Sequence, residues 1–479
     1  MIEAWSIVIV VSPLVAAAIC AACRHARVAE FANLIASFVC VVAAVSLACN
    51  VRDGYRFLHD YVVVDALAAW TLVCTALVYC LASIYAVGYM RLLAEERERL
   101  PNFYALFALF AATMICGPVM NNIGVYWIAI ELTTLVSTFL VGFERGREAI
   151  EAAWKYIIVV SAGISLALLG TVLFYWAGSL VIGPTYDMTW DTLRHAAPQM
   201  SPALTQMAFL LVLVGYGTKA GLAPMHTWLP DAHSEGPAPV SAMLSGALLN
   251  TAMLGIARFL TITDAASSSV LPRTVLVAFG AFSLFVAALF IVKQQGIKRL
   301  MAYSSVEHMG VLALGFGFGG PLAIAAVLYH MLNHSLNKSL MFFGAGNVMR
   351  VFGTKDMGEI RNVWTRFPVT GAPPFGLFLS ELTLMRAGIA SSNAWAVIVM
   401  LLLLIVIFIG FLNHFRAMYF EARPAGEAHE IVRKASVSAW MTVPMWLALV
   451  PVLILGVWWP QDLWRFFEMV AADLGGVAR

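Results

Sequence analysis

The chain has 479 residues, of which 61% are hydrophobic and 12% are charged, and its mean hydropathy is +0.85. Soluble proteins average about 45–50% and about 25% on the first two measures, so the composition excludes a water-soluble globular domain. It predicts an all-α polytopic membrane protein. The net charge of +2 excludes little, because in a membrane protein the placement of charges matters more than their sum. No nucleotide-binding glycine loop or cofactor motif is recognised, so we predict no cofactor and no nucleic-acid partner.

A membrane-spanning helix needs about 20 apolar residues. About fourteen such stretches are predicted, the seventh of them broken, near residues 4–22, 29–49, 66–89, 103–119, 122–142, 154–177, 207–230, 238–260, 274–293, 299–318, 321–348, 371–390, 393–415 and 436–459. Nineteen lysines and arginines lie in or beside the odd-numbered loops, against six in the even-numbered loops and the C-terminus. The positive-inside rule then places both termini outside the cytoplasm, in an inner (cytoplasmic) membrane.

All seven cysteines precede residue 117, and most lie within apolar stretches. Cys20 and Cys23 form a CxxC motif, but no second pair accompanies it. We interpret these cysteines as packing residues and not as metal ligands or redox groups. No metal-ligand spacing with an open position is recognised elsewhere, so no metal site is predicted.

The fifth span carries Glu131 at its centre, in YWIAIELTTL, with no charged neighbour in the sequence. A carboxylate at membrane depth is expensive unless it is protonated or lies beside a cation. Lys219 of the seventh span is the candidate cation. The alternative is an ion pair that only fixes helix packing, but buried ion pairs are poor stabilisers, which favours a functional role.

The seventh span, GYGTKAGLAPMHTWLPDAHSEGPAP at residues 215–239, places Lys219 in an apolar run and follows it with four prolines. These prolines cannot all sit in one regular helix, because each removes a backbone donor. A broken helix in a bilayer has to be buried in protein or line a cavity, and transporters build ion sites at such breaks. The stretch therefore predicts ion translocation, with Lys219 as its charged group.

The tenth span opens with KRLMAYSSVEHMG. Lys298 and Arg299 are predicted to extend to the cytoplasmic interface, as long basic side chains commonly do. Two turns deeper lie four polar residues, namely Ser304, Ser305, Glu307 and His308. The serines are candidates for holding water, and the pattern fits either a proton relay or a local hydrogen-bonded pair.

The eleventh span reads LYHMLNHSLNKSLMFFGAG. His330, His334 and Lys338 recur at every fourth residue and so line one helix face over about 12 Å. A single histidine would more often be a packing residue. Three titratable groups in register predict a proton relay, because histidine gains and loses a proton near neutral pH.

The twelfth span carries Glu381 in GAPPFGLFLSELTLMRAG. If the helix begins near Gly371, Glu381 lies about 15 Å along it, at mid-membrane, and the PP pair falls in the first turn. Around the break in the seventh span, His226 and His233 flank the prolines, and Asp231 is predicted to cap the second half-helix. Structural roles stay open for these groups.

These segments resemble the antiporter-like proton-pumping subunits of respiratory complex I, multisubunit cation/proton antiporters and membrane-bound hydrogenases. The resemblance covers about residues 60–420 and is most specific in KAGLAPMHTWLPDAHSEGPAPVSAMLSG, KRLMAYSSVEHMG and HMLNHSLNKSLMFFGAGN. AYSSVEH, NHSLNKS and PPFGLFLSE are most similar to the hydrogenase-4 component F type, which includes formate hydrogenlyase relatives. The resemblance implies inverted repeats and a central pair of Glu131 and Lys219. It also implies continuation of the relay through Lys338 or a neighbouring histidine, and Glu381 as the group that exchanges protons with the outside.

Two departures from the family pattern lie along this route. Many relatives carry a lysine in the eighth span where this chain has Asn250, so we expect water to bridge the relay there. The apolar half-helix before GAPPFG is much shorter here, which predicts a short, continuous twelfth span. The resemblance further implies a core at 96–420, preceded by three helices in 1–95 and followed by a loop and the last helix in 421–479.

The leading hypothesis is a proton-translocating subunit with no redox centre of its own. Its expected partners are other antiporter-like membrane subunits and peripheral redox subunits of the nickel–iron hydrogenase or complex I type. Electron transfer in those partners would alter the field at the Glu131–Lys219 pair and push a proton along the row. Two alternatives stay open: a sodium/proton antiporter subunit, and a scaffold that only anchors a peripheral oxidoreductase.

Overall fold

A computed structural model describes residues 2–23, 25–51, 54–58, 60–93, 98–361, 363, 376–421 and 437–474. Within these residues the fold is almost entirely helical, and its only sheet is a hairpin of β1 (Tyr55–Phe57) and β2 (Val62–Val64). The helices before the break are α1 (Ile2–Ala22), α2 (Ala26–Asn50), α3 (Ala66–Arg91), α4 (Leu100–Val119), α5 (Ile123–Val141), α6 (Arg147–Ile182), α7 (Trp190–Ala196) and α8 (Pro202–Ala220). Those after it are α9 (Trp228–Glu235), α10 (Ala238–Met243), α11 (Leu249–Ala266), α12 (Leu271–Val292), α13 (Ile297–Phe318), α14 (Gly320–Phe352), α15 (Gly376–Ala390), α16 (Ala394–Phe420), α17 (Ala439–Val457) and α18 (Gln461–Asp473).

Every predicted span coincides with a helix or a broken pair of helices, which confirms the all-α polytopic fold. Eleven helical segments of the described chain are long and apolar enough to cross a membrane. The other three predicted spans correspond to α13, α14 and α15. Polar side chains reduce the hydropathy of α13 and α14, and α15 is described over only 15 residues. The count of fourteen therefore stays a prediction.

Several helices that carry polar groups, namely α11, α13 and α14, lie at the centre of the molecule. The apolar window of the α10–α11 segment is 100% buried, whereas that of α16 is 28% buried. Large apolar side chains of α2, such as Phe31, Ile35 and Phe38, are exposed on the outer surface, where lipid would contact them. Charged groups on the central helices are thus kept away from lipid by a surrounding layer of apolar helices.

The predicted break in the seventh span is confirmed. α8 ends at Ala220, and Gly221 adopts the left-handed conformation (φ 76°) that closes a helix at little cost when the residue is glycine. A 3₁₀ turn at Met225–Thr227 then leads into α9. The indole of Trp228 donates to the Thr218 carbonyl over 2.8 Å, and the Ala223 amide donates to Ser283 Oγ over 2.9 Å. Protein groups therefore satisfy backbone atoms that the break exposes, as a bilayer requires.

Four features were not predicted. The β1–β2 hairpin and α7 lie in loops, and α18 is an amphipathic helix that follows the last predicted span. The segment Leu244–Leu248 between α10 and α11 is π-helical. The predicted start of the twelfth span at Gly371, with its prolines, lies outside the described residues.

Candidate functional site

The first group of polar residues lies between α5, α6 and α8, and we call it the first cluster: Glu131, Thr134, Tyr156, Ser161 and Lys219. Thr134, Tyr156 and Lys219 are buried, whereas Glu131 and Ser161 are partly buried. Lys219 is fully buried, and its Nζ donates to Thr134 Oγ1 over 2.7 Å and to the Tyr156 hydroxyl over 2.9 Å. The same Thr134 hydroxyl lies 3.5 Å from Glu131 Oε2. Ser161 donates to Glu131 Oε1 over 2.7 Å.

Glu131 and Lys219 are therefore brought close together, although they are not in direct contact. No carboxylate of a described residue is in ion-pair contact with Lys219, and the hydroxyl of Thr134 stands between the two charged groups. The physical reason is that Thr134 lies one turn beyond Glu131 on α5 and so faces the same neighbouring helices. The arrangement links the two groups through one exchangeable hydroxyl proton.

Close packing of α6 against α8 positions this cluster. A Cβ atom at Gly215 would overlap the backbone of Ala167, so only glycine allows the two helices to approach as they do. This approach places Tyr156 of α6 against Lys219 of α8, with the Nζ 5.2 Å from the ring centroid. The hydroxyl of Tyr156 in turn lies 2.7 Å from Ser137 Oγ.

The second group, which we call the second cluster, lies where α13, α14 and α15 meet. It contains Ser304, Glu307, His308, His330, His334, Lys338, Ser380 and Glu381. Lys338 Nζ donates to Ser304 Oγ over 2.6 Å and to the Met301 carbonyl over 3.3 Å. Ser304 is also close enough to Glu307 to interact with it. A hydroxyl thus separates lysine from glutamate here as well.

The histidines of the second cluster form a connected row. His308 Nδ1 lies 3.2 Å from His330 Nε2, and His330 Nδ1 lies 2.9 Å from Ser380 Oγ. The rings of His308 and His334 are in edge contact, with centroids 5.2 Å apart. All three imidazoles are buried, and Glu381 is partly buried beside them. The three predicted spans that carry these residues are therefore brought together at one place.

The π-helical segment after α10 contacts this row. His334 Nε2 lies 3.1 Å from the Ser245 carbonyl, and Ser335 Oγ donates to the Gly246 carbonyl over 2.6 Å. A π-helical turn leaves backbone carbonyls without their usual α-helical partners, and such turns are common at functional sites. Asn250, one turn on, donates to Ser335 Oγ over 3.0 Å. Asn250 therefore lies against α14, beside the second cluster.

Residues around the break have more varied surroundings. His233 is fully buried, with Nδ1 2.9 Å from the Leu229 carbonyl, and Lys298 and Lys338 are close enough to interact with it electrostatically. His226 is buried in the 3₁₀ turn near the Tyr303 ring. Ser305 Oγ lies 2.7 Å from Ser245 Oγ, so it joins α13 to the π-helical segment.

Two predictions for residues at and near α9 are wrong. Asp231 does not cap α9: it lies inside the helix and is paired with Arg299 and Lys155. Lys298 does not extend to the interface, because it is buried and donates to the carbonyls of Ser234 and Gly236 at the end of α9. The unpaired carbonyls of a helix C-terminus attract a cation, which explains the inward orientation of Lys298.

Lys298 also lines a polar cavity of about 460 Å³ together with Glu144, Glu235, Arg350 and Lys355. Burial alone would lower the pKa of Lys355, but hydrogen bonds with Glu148 and Glu235 raise it above the ordinary value of a lysine. This cavity provides polar access from the surface to Lys298.

Sequence reasoning missed several members of these clusters. Thr134, Tyr156, Ser161 and Ser380 are hydroxyl residues on apolar helices, where such residues often bond only to their own backbone. Their roles depend on which helix they face, and one sequence does not reveal this. The Ser380–Glu381 pair was visible as SE in the twelfth span, but only Glu381 was predicted.

Both clusters lie within the part of the chain that matches a known protein family. A family model described as NADH:quinone oxidoreductase/Mrp antiporter, transmembrane, matches residues 120–408. A hydrogenase-4 component F homolog from Methylacidiphilum infernorum is 42% identical over 285 residues, which cover 57% of this chain and 60% of the relative. Hydrogenase-4 component B from Escherichia coli is 30% identical over 366 residues, covering 71% and 52%. The chain thus spans about half to three fifths of the length of these two relatives.

The fold is similar over the whole chain to that of a solved structure. A chain of the membrane-bound sulfane sulfur reductase, an archaeal respiratory membrane complex, superimposes with a TM-score of 0.83. The superposition covers 98% of this chain and 97% of that one, at 21% sequence identity. At this identity the similarity concerns the fold alone.

Proposed function

The chain belongs to the NADH:quinone oxidoreductase/Mrp antiporter transmembrane family, and from this premise we propose that it is the proton-translocating membrane subunit of a redox-driven complex. The complex would be of the hydrogenase-4 or formate hydrogenlyase type, or of the NADH:quinone oxidoreductase type. Its partners would be other antiporter-like membrane subunits and peripheral redox subunits of the nickel–iron hydrogenase or complex I type. The relatives named as hydrogenase-4 components support this assignment.

One observation carries the proposal: the buried lysine of each cluster is held by neutral groups. Lys219 contacts the hydroxyls of Thr134 and Tyr156, and Lys338 contacts a hydroxyl and a carbonyl. A direct, desolvated ion pair would fix the proton on the lysine. A lysine beside hydroxyls, with a glutamate beyond them, can instead release its proton when the nearby field changes.

The second cluster supplies a path for the released proton. The hydrogen-bonded pair of His308 and His330 can accept a proton at one ring nitrogen and release another from the opposite nitrogen. From His330 the hydrogen bonds lead to Ser380, which precedes Glu381 in the sequence. We assign Glu381 as the group that exchanges protons with the outside. His226, His233 and Asn250 are assigned supporting roles.

We further propose that the termini face away from the cytoplasm of an inner-membrane location, as the asymmetry of basic residues indicates. The translocating core is assigned to 96–420, with 1–95 and 421–479 as flanking helices. Residues 120–408, which match the family, lie inside that core.

Sodium/proton antiport is the second candidate, favoured by the Mrp antiporter part of the family description. Sodium, as a hard cation, prefers oxygen ligands, and the hydroxyls and carboxylate of the first cluster offer these. The imidazole row of the second cluster favours protons instead. Transport that requires sodium in vesicles containing the complex, and is absent with protons alone, would establish the second candidate and overturn the first.

The test is proton flux by the intact complex in sealed vesicles. Lys219→Ala is expected to abolish flux while the redox partners continue to turn over, because the carrier is lost but no redox group is touched. Lys293→Ala, at an exposed lysine after α12, is the matched control and should pump normally. Full pumping by Lys219→Ala would show that the cluster is only packing, as in the scaffold alternative.

A further inference from the structure

The second cluster contains three side chains that converge as metal ligands do. One donor atom from each of His308, His330 and Glu381 lies within 4.8 Å of the other two. The histidines are 22 residues apart in sequence, and the glutamate lies on a third helix, so no ligand spacing is visible in the sequence. The three atoms meet only because α13, α14 and α15 pack at this point.

We propose that His308, His330 and Glu381 form a binding site for Zn²⁺, and that the bound ion blocks the proton row. The blocking role rests on the proton transport proposed above, whereas the binding does not. Two imidazoles, one carboxylate and an open fourth position form a ligand set that zinc is known to accept.

The spacing of the donor atoms fits this ion. Bonds of about 2.0–2.2 Å in a tetrahedral site separate neighbouring ligand atoms by about 3.3–3.5 Å. His308 Nδ1 and His330 Nε2 are already 3.2 Å apart. The carboxylate has to approach by at most about 1.5 Å, which lies within the reach of a glutamate side chain.

The neighbour of His330 orients it as a ligand. Ser380 Oγ donates its proton to the Leu377 carbonyl over 2.7 Å, so its oxygen accepts from His330 Nδ1. This leaves the lone pair of His330 Nε2 facing His308. Metal-binding histidines typically donate their second N–H in this way, and the outer partner fixes the ring.

The same geometry explains why the ion would block transport. In the metal-free cluster, the proton between His308 Nδ1 and His330 Nε2 is the one that the row passes on. Zn²⁺ would occupy both nitrogens and remove that proton. Glu307 and Lys338 both interact electrostatically with this group, so two carboxylates and one ammonium surround the site. When all three are ionised their net charge is −1, which attracts a cation.

The choice of zinc over harder cations follows from the donor atoms. Sodium, magnesium and calcium prefer sites built from oxygen, whereas imidazole nitrogen suits zinc and its transition-metal neighbours. Glu381 is the only partly exposed member of the three, so the ion would arrive from its side.

Binding is tested on the purified full chain in detergent, with Zn²⁺ measured by equilibrium dialysis and Co²⁺ as a spectroscopic probe of tetrahedral geometry. Glu381→Gln and His330→Gln are each expected to lose one bound zinc per chain, or to bind it at least tenfold more weakly, together with the Co²⁺ visible bands. His195→Gln, at an exposed histidine on α7, controls for adventitious surface binding and should leave zinc unchanged. Equal zinc binding by the parent and by a folded Glu381→Gln variant would overturn the site.

Blocking is tested separately on the intact complex in vesicles. Zn²⁺ at the concentration that fills the site should reduce proton flux at least tenfold, and a chelator should restore it. If the site fills and flux continues unchanged, the blocking role is wrong. If the parent complex moves no protons with or without zinc, the proposed transport fails, and the dialysis result still decides the binding site.

Discussion

The two clusters share one arrangement of side chains and differ in the residues around it. In each, a hydroxyl separates a buried lysine from a glutamate: Thr134 lies between Lys219 and Glu131, and Ser304 lies between Lys338 and Glu307. The second cluster adds a row of imidazoles, whereas the first is closed by tyrosine and serine hydroxyls. This difference indicates that the first cluster is suited to holding and releasing one proton, and that the second cluster can also pass a proton on.

The largest expected effect is on stability, and it distinguishes the lysines of the clusters from charged residues that stabilise the fold. Arg258 pairs directly with Asp65 over 2.8 Å, and Asp65 caps α3 by accepting from Ala68 N. Arg258→Ala should lower the free energy of unfolding by about 2–4 kcal/mol, somewhat less than for a fully buried pair because Asp65 is partly exposed. Lys219→Met should leave stability unchanged or raise it, since it removes a buried charge that lacks a direct counter-ion.

Thermal unfolding of the purified chain in detergent measures both variants. A loss of stability in Lys219→Met as large as that in Arg258→Ala would mean that Lys219 is structural. The distinction between the two kinds of buried charge would then disappear.

The next effect tests the hydroxyl that separates lysine from glutamate. Thr134→Val keeps the shape of the side chain but removes the group between Lys219 and Glu131. Proton flux should fall about tenfold, corresponding to the loss of one hydrogen bond to a charged group, while Tyr156 still accepts from Lys219.

Thr134→Ser is the matched control, because it restores the hydroxyl without the methyl group, and it should pump close to the parent rate. Initial rates of acidification in vesicles give the comparison. Equal flux from the valine and serine variants would show that the bridge carries no proton.

The smallest effect concerns Asn250, which lies beside the second cluster. Asn250→Ala removes hydrogen bonds to Gly246 and Ser335, but Ser335 still donates to the Gly246 carbonyl. We expect a stability loss of about 1 kcal/mol and a change in flux of less than about threefold. A tenfold loss of flux in the same vesicle assay would instead place Asn250 on the path itself.

The sequence predicted the helical fold and the break after Lys219 because proline and intramembrane charge leave strong local signals. The register of His330, His334 and Lys338 was equally readable, since one helix face determines it. What could not be predicted depends on contacts between helices. Thr134 looks like any threonine on an apolar helix, and Lys298 looks interfacial until α9 offers it carbonyls.

Asp231 shows the same limit at the break. Its place near the start of a half-helix suggested a cap, but α9 begins three residues earlier and Arg299 and Lys155 occupy the carboxylate. The π-helical turn at Leu244–Leu248 has no signal in its composition. Such details follow from tertiary packing, which overrides local preference.

The central claim is that one proton path runs through both clusters in series, and proton flux by the complex carrying Lys338→Ala tests it most directly. If the clusters act in series, flux should fall as low as in Lys219→Ala, and the double variant should be no worse than either single one. Retention of about half the parent flux in Lys338→Ala, with complete loss only in the double variant, would mean two parallel paths and would contradict the account.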